Sequence, residues 1–226
     1  MICRDIGSEN VSYVHCDVTK DMDVKNLVDT AVSKYGRLDI MYSNAGIGGR
    51  YTTSILDSEI DDWESVIDVN LKGGYLCAKH AARVMVPAKK GVILFTASVA
   101  AKMFGMGSHA YAVSKAGIIG LTKNLCVDLG KHGIRVNCIS PHVVATALPL
   151  GILPLDATTL EEVHESTAML KGNVLKVDDV AKTALLLASD DSQVISGQNI
   201  VTDGGFSTTN ASFSSMIGQI IAASSR

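Results

Sequence analysis

Tyr111 and Lys115 are the residues of this chain whose types and spacing best fit a chemical role. They stand four residues apart in SHAYAVSKAG, residues 108–117, a stretch typical of a helix start, so both side chains would lie on one helix face. A free phenol has a pKa of about 10, and a neighbouring ammonium lowers that pKa by stabilising phenolate. Such a pair could move a proton to or from an alcohol oxygen. The same spacing also occurs on solvated helix surfaces, so the pair alone leaves both interpretations open.

Other polar positions make the chemical interpretation stronger. Ser98 ends the apolar run GVILFTAS, where its hydroxyl could bind the substrate oxygen and the phenol together. The small residues of NAG, Asn44 to Gly46, follow another predicted strand and would let a bound cofactor approach the backbone. Asn70 lies inside a long predicted helix, where it either serves the site or satisfies a local backbone group.

Alternating strand and helix patterns predict the scaffold that positions these residues. Apolar runs rich in β-branched residues predict strands near residues 11–18, 38–43, 91–98, 134–140 and 197–203. Helical patterns cover residues 21–36, 61–86, 108–131, 159–170 and 178–189, with Asp21 and Asp178 as predicted N-caps. This order predicts an α/β protein with a doubly wound, Rossmann-like parallel sheet that binds ligands at the carboxyl ends of its strands.

Composition restricts the class of protein. The 226 residues, 47% hydrophobic and 19% charged, fit one well-packed domain. A net charge of -3 without a long basic run argues against a nucleic-acid partner. The 5 cysteines lack metal-ligand spacing and are expected to be reduced, buried thiols, with no metal site. No signal peptide or membrane-length apolar segment is visible, so we expect a cytoplasmic protein that does not bind membranes.

Taken together, these motifs resemble the short-chain dehydrogenase/reductase family. The matching pieces, in the family's order, are DV at residues 17–18, NAG, VN at residues 69–70, Ser98, YAVSK at residues 111–115, RVNCISP at residues 135–141 and DGG at residues 203–205. The amino-acid sequences of residues 15–47 and of SPHVVATAL are similar to those of the plant branch that includes secoisolariciresinol and borneol dehydrogenases. One departure is His142, where most of the family has glycine, and we expect it to affect the shape of the substrate pocket.

The resemblance implies an NAD(P)-dependent oxidoreductase that interconverts a secondary alcohol and a ketone. Tyr111 would be the general acid and base, Lys115 would lower its pKa and hold the nicotinamide ribose, Ser98 would position the substrate, and Asn70 would anchor a proton-relaying water. The cofactor contacts would come from Asp17, Val18, Asn44, Ala45, Gly46, Tyr111, Lys115, Pro141, Val144 and Thr146. NAD is expected, with NADP as the alternative.

The resemblance also bears on substrate and assembly. Residues 143–177 would cover the site within a single domain of residues 1–226, and their run TALPLGILPL suits an apolar terpenoid or phenolic plant metabolite. The alternative is a generic lid whose apolar face simply packs down. A homodimer or homotetramer would form through helices 61–86 and 108–131.

The first βαβ unit of the family is missing from the printed sequence. Only ten residues precede residue 11, whereas such a unit needs about 30 residues, and no glycine-rich phosphate-binding motif stands ahead of Asp17. We therefore expect an N-terminally truncated chain with marginal stability and little cofactor affinity, a fragment or incomplete gene model rather than a truncated isoform. The rival hypothesis is a catalytically silent chain that acts as an interaction or oligomerisation partner.

Overall fold

A computed structural model describes residues 10–52, 54–103 and 105–208 of the chain. Its strands form one parallel sheet and are β1 Ile40–Ser43, β2 Gly91–Thr96, β3 Ile134–Pro141 and β4 Asn199–Thr202. Its α-helices are α1 Asp21–Tyr35, α2 Ile60–Ile67, α3 Gly73–Ala88, α4 His109–Gly130, α5 Ala147–Leu150, α6 Ala157–Thr167 and α7 Val177–Ala188. The prediction of an α/β protein with a parallel sheet is confirmed.

The strands lie side by side in chain order, β1-β2-β3-β4, and every neighbouring pair is parallel. Parallel strands need crossover connections, and these put helices on both faces of the sheet. The apolar side chains of β2 alternate accordingly: Ile93 and Phe95 pack with α1, α3 and α4, whereas Val92 and Leu94 pack with α7. This double covering explains why β2 is an unbroken apolar run, and it orders the carboxyl ends of β1, β2 and β3 along one edge.

Residues 11–18 do not form the predicted strand. They have no strand assignment and no place in the sheet of the described residues. Their alternating apolar pattern is typical of a strand. A strand forms, however, only when its backbone is hydrogen-bonded to a neighbouring strand. No described strand pairs with this segment. The segment instead leads into α1 through a turn in which the Lys20 amide donates to the Asp17 carbonyl at 3.0 Å.

The two predicted N-caps, Asp21 and Asp178, lie inside their helices, one and two residues after the observed caps Lys20 and Lys176. Asp21 is the first residue of α1 rather than its cap, and its carboxylate accepts from Lys79 and His80 on α3 at 2.6 and 3.1 Å. Likewise α7 begins at Val177, before Asp178, and the Asp179 carboxylate accepts from the backbone amide of Lys176, the N-cap. In both helices the acidic residues still lie in the first turn, where they complement the helix dipole.

The predicted helix 61–86 consists of three parts. α2 and α3 are joined without a break by a π-helical turn, Asp68–Lys72, which places one extra residue in the turn. Pro87 lies in the last turn of α3, and the helix ends at Lys89 in a left-handed conformation with φ of 53°. The turn matters because it contains Asn70.

Two further expectations concern cysteines and membranes. Cys16, Cys77, Cys126 and Cys138 are free thiols, of which Cys77 and Cys138 are buried, while Cys3 lies outside the described residues. Among the residues that the structure describes, no helix combines the length and the apolar character that a membrane crossing requires, and no cluster of three or more metal-ligating side chains is found.

Candidate active site

Lys115 is held at the carboxyl end of β2 by a single protein acceptor. Its Nζ donates to the carbonyl oxygen of Thr96, the last residue of β2, at 2.8 Å. The side chain is 3% exposed, and burial lowers its pKa to about 8 because the charged form loses hydration. At neutral pH the ammonium is still mostly protonated, so it supplies a positive charge inside the site.

Tyr111 lies one helical turn before Lys115 on α4, as the spacing predicts. The Lys115 Nζ is 5.7 Å from the centroid of the Tyr111 ring. Burial raises the pKa of the Tyr111 phenol, while a hydrogen bond with the Ser98 side chain lowers it by less. The pKa of the phenol is raised in the protein alone because loss of hydration outweighs the effects of its neighbours. The lowering of this pKa by Lys115 stays a prediction.

Ser98 has a second bond that fixes its position. It is the N-cap of a short 3-10 turn, Val99–Ala101, and its Oγ accepts from the Ala100 amide at 3.1 Å. The cap anchors the hydroxyl just beyond the end of β2, beside the Tyr111 phenol.

Asn70 is buried in the π-helical turn and bridges separate elements. Its Oδ1 accepts from the Ile47 amide at 2.8 Å, and its Nδ2 donates to the Ile47 carbonyl at 2.9 Å and to the Ser114 Oγ at 3.0 Å. Ser114 in turn donates to the Tyr111 carbonyl at 2.8 Å. The Asn70 side chain thus satisfies backbone groups, but those groups belong to the NAG loop and, through Ser114, to the first turn of α4. Its role as a water anchor stays a prediction.

Replacing Asn70 with Leu is expected to reduce the free energy of unfolding by about 2 kcal/mol, because the partly buried polar groups of Ile47 and Ser114 would lose their partner. Urea denaturation measures the change. The matched control is Asn124→Leu, since Asn124 is exposed on α4 and bonds only to Gly120 of its own helix. An equal effect of the two substitutions would contradict a bridging role for Asn70.

The sequence did not single out Ser108 and Thr96 as site residues. Ser108 caps α4 by accepting from the Tyr111 amide at 3.2 Å, and its Oγ donates to the Gly48 carbonyl at 3.0 Å. Its position before a helical pattern signals the cap, but the contact with Gly48 joins residues sixty apart and leaves no local sequence signal. Ser108 therefore ties the loop after β1 to the first turn of the helix that carries Tyr111.

The residues around Lys115 fit a nicotinamide dinucleotide on their ribose side. An ammonium has three N–H donors, and within the described residues the protein accepts only one of them, at Thr96. Gly46 allows close approach here: a Cβ at this position would lie 3.2 Å from the Asn70 Oδ1 and 3.3 Å from the Lys115 Nζ. The free donors and the small residue leave space and hydrogen bonds for sugar hydroxyls.

The other predicted cofactor residues lie at or after the carboxyl ends of the strands, but they do not all contact one another or Lys115. Asn44 accepts from the Thr96 Oγ1 at 2.7 Å, and both Asn44 and Ala45 are exposed. Pro141 ends β3, and Val144 follows in a tight turn closed by the Thr146 amide at 2.7 Å.

Asp17 and Val18 make their contacts farther along this edge. The Asp17 carboxylate accepts from the Thr19 amide and hydroxyl at 3.0 and 2.8 Å. Val18 packs against Gly73 at the start of α3, where an added Cβ would lie 2.8 Å from the Val18 Cγ2. Asp17 thus bonds within its own turn and Val18 packs on α3, and neither of these contacts involves Tyr111 or Lys115.

Comparison with known proteins gives consistent matches over most of the chain. A family model described as enoyl-(acyl carrier protein) reductase matches residues 2–207. A short chain aldehyde dehydrogenase 1 from Euphorbia lathyris is 52% identical over 224 residues, covering 96% of this chain and 78% of the relative. Secoisolariciresinol dehydrogenase from Forsythia intermedia is 50% identical over 211 residues, covering 93% and 76%.

A solved structure matches the fold. The gluconate 5-dehydrogenase from Burkholderia cenocepacia J2315, in complex with NADP and tartrate, superposes with a TM-score of 0.82 at 27% identity, covering 92% of this chain and 81% of that one. The strands and crossover helices described above are therefore shared with a dehydrogenase whose structure contains NADP.

Proposed function

The chain belongs to the short-chain dehydrogenase/reductase family of NAD(P)-dependent oxidoreductases, and on that basis we propose that it interconverts a secondary alcohol and a ketone. NAD is the proposed cofactor, with NADP as the alternative, and the proposed substrate is an apolar terpenoid or phenolic plant metabolite. The observation that carries the proposal is the grouping of the Tyr111 phenol, the Ser98 hydroxyl and the buried Lys115 ammonium at one sheet edge.

A nicotinamide dinucleotide held beside Lys115 would supply or accept the hydride. Tyr111 transfers the proton of the substrate oxygen, and Ser98 donates a hydrogen bond that orients that oxygen toward the phenol. Lys115 contributes charge that favours phenolate once the substrate excludes water, and its free N–H groups bind the ribose. Asn70 and Ser114 hold the first turn of α4 against the NAG loop, which keeps the phenol in place.

The proposed substrate class rests on the segment 143–177. Its α5 region packs on the loop after β1: a Cβ added to Gly48 would lie 2.1 Å from the Ile152 Cδ1 and 3.6 Å from the Leu148 Cδ2. Leucine and isoleucine side chains against this loop favour a substrate with few charges. The name of the Forsythia relative, secoisolariciresinol dehydrogenase, supports a plant metabolite as the substrate.

The proposed assembly is a cytoplasmic homodimer or homotetramer formed through α3 and α4. Tyr75 on α3 is 51% exposed, and Val113 and Val127 on α4 are 47% and 81% exposed. Apolar side chains left in water on two neighbouring helices favour burial against another copy. The same surface supports the second candidate function, a catalytically silent partner of full-length relatives.

The proposal is tested by calorimetric binding of NAD and NADP and by nicotinamide absorbance during turnover of a panel of secondary alcohols. The chain is studied as printed and with a family-type N-terminal βαβ unit fused ahead of it. We expect turnover of apolar cyclic alcohols and little turnover of short polar ones. Absence of binding and turnover in both forms would exclude the enzyme proposal, and co-purification with a relative would then favour the partner role. Tight binding by the printed chain would contradict the expected weak affinity.

A further inference from the structure

Two buried histidines form a pair outside the candidate active site. His142 follows Pro141 at the end of β3 and is 9% exposed, whereas His164 lies on α6 and is 3% exposed. Their ring centroids are 4.9 Å apart with the planes tilted by 52°, and the other side of His142 packs on Phe206 at 4.2 Å. The pair therefore joins a helix of the covering segment to the ends of β3 and β4.

The polar atoms of this cluster have no protein partners among the residues that the structure describes. All four ring nitrogens of the pair are buried without a hydrogen bond, as is the Thr202 Oγ1 on β4, the strand that pairs with β3. A neutral imidazole can share its donor and acceptor with ordered water. An imidazolium instead presents two donors and no acceptor, and none of these ring nitrogens has a protein hydrogen-bond partner among the described residues.

Among the described residues, the Asp203 carboxylate acts on the pair, but its oxygens already accept hydrogen bonds from backbone amides. The Asp203 carboxylate favours the protonated form of both rings. However, its oxygens accept from the amides of Gly205 at 2.9 Å and Ser207 at 2.8 Å, and Lys102 also acts on it.

Burial and the neighbouring imidazole outweigh the effect of this anion. Burial, followed by His164, lowers the pKa of His142 to about 4, and burial lowers the pKa of His164 as well. The acidic side chains of α6 give no compensation, since Glu162 and Glu165 are exposed and Glu161 pairs with Lys176.

Few other contacts hold α6 in place. Leu160 and Ala168 are buried at its two ends, and the Leu170 amide donates to the Gly204 carbonyl at 2.9 Å. The helix is otherwise mostly exposed, including Val163 at 47%. The imidazole pair is thus a large part of the docked surface of α6, and α6 continues the segment whose α5 region packs on the active-site loop at Gly48.

We propose that the His142–His164 pair is a proton-operated latch. With both rings neutral, α6 docks on the ends of β3 and β4, and when either ring takes a proton from solvent, α6 is released and the covering segment opens. Between the ordinary histidine pKa of about 6.5 and the lowered value, the released state binds a proton that the docked state excludes. Docking therefore weakens about tenfold for each pH unit lost per histidine across this window. This device is independent of the alcohol chemistry.

The test is hydrogen exchange of the full chain, read at α6 and at β3 and corrected for intrinsic exchange, from about pH 7.5 down to about pH 5. We expect α6 opening to increase at least about tenfold per pH unit below about pH 6.5, and more steeply where both histidines titrate, while β3 protection is retained. His142→Phe and His164→Phe keep an aromatic ring without a titrating group, so each should reduce the slope by the contribution of one histidine, and the double variant should flatten it. His15→Gln removes an exposed histidine far along the chain from α6 and should leave the dependence unchanged.

Three results would overturn the latch. The first is α6 opening that does not depend on pH, and the second is a dependence that survives undiminished in the single Phe variants or at all in the double variant. The third is loss of β3 protection to the same extent as α6, which would indicate global unfolding. If a Phe variant does not fold, His164→Gln removes the titrating group with a smaller polar side chain, and the same slopes are read from it.

Discussion

Replacing Tyr111 with Phe should reduce kcat for alcohol oxidation by about 10³-fold, the usual effect of losing a general acid and base. Cofactor affinity should be nearly unchanged, because only a hydroxyl is removed and the ring keeps its place beside Lys115. Steady-state kinetics measure kcat, and calorimetry with NAD measures cofactor affinity. Both are measured on the same preparation of whichever form of the chain, as printed or with the fused βαβ unit, turns over substrate.

The matched control for this substitution is Tyr75→Phe, which removes a hydroxyl from an exposed tyrosine on α3. Its kcat should equal that of the unmodified protein. Activity of Tyr111→Phe within tenfold of the unmodified protein would mean that another group moves the proton. A parallel loss of NAD binding would instead indicate that the phenol mainly binds the cofactor.

Replacing Lys115 with Met should abolish turnover and yet stabilise the protein at neutral pH. The pKa of Lys115 is about 8 in the folded protein against an ordinary 10.5, so at pH 7 burying this charge costs roughly 3 kcal/mol. Methionine fills a similar volume without charge and gives up one hydrogen bond to Thr96 worth about 1 kcal/mol. We therefore expect a net gain of about 2 kcal/mol at pH 7 in the free energy of unfolding.

The pH dependence of this gain identifies its cause. Between the folded pKa and the ordinary one, the unfolded chain holds a proton that the folded chain releases, so the stability contributed by Lys115 rises with pH across that window. The advantage of Lys115→Met over the unmodified protein should then disappear as the pH rises from about 8 to about 10. Urea denaturation at several pH values measures it, and Lys123→Met on the exposed side of α4 is the control. A constant advantage would point to packing rather than charge.

Much of the scaffold was predictable because its elements have strong local signals. β2 is a continuous apolar run, and α1 and α4 end at residues 35 and 130 beside the glycines or turns that stop them. The strand predicted at residues 11–18 failed for the opposite reason. Its composition is suitable, but strand formation depends on a partner elsewhere in the chain.

The candidate site was predictable only where its geometry is local. Tyr111 and Lys115 share a helix face by their spacing, and the structure confirms that they are neighbours. The Ser108 bond to Gly48 and the contact between His142 and His164 join distant segments, and nothing in either stretch specifies the other. The direction of the Tyr111 pKa was also beyond the sequence, since burial of the phenol depends on tertiary packing.

The π-helical turn has a consequence for how the chain tolerates changes in length. One extra residue in a turn rotates the rest of the helix by about 100° relative to a regular α-helix. The buried side follows this extra residue: Val66 is buried in α2, Asn70 in the π-helical turn and Gly73 at the start of α3. A one-residue deletion between them would restore a regular helix and turn Asn70 away from Ile47. The position of Asn70 in the site therefore depends on the number of residues in this segment as well as on their identity.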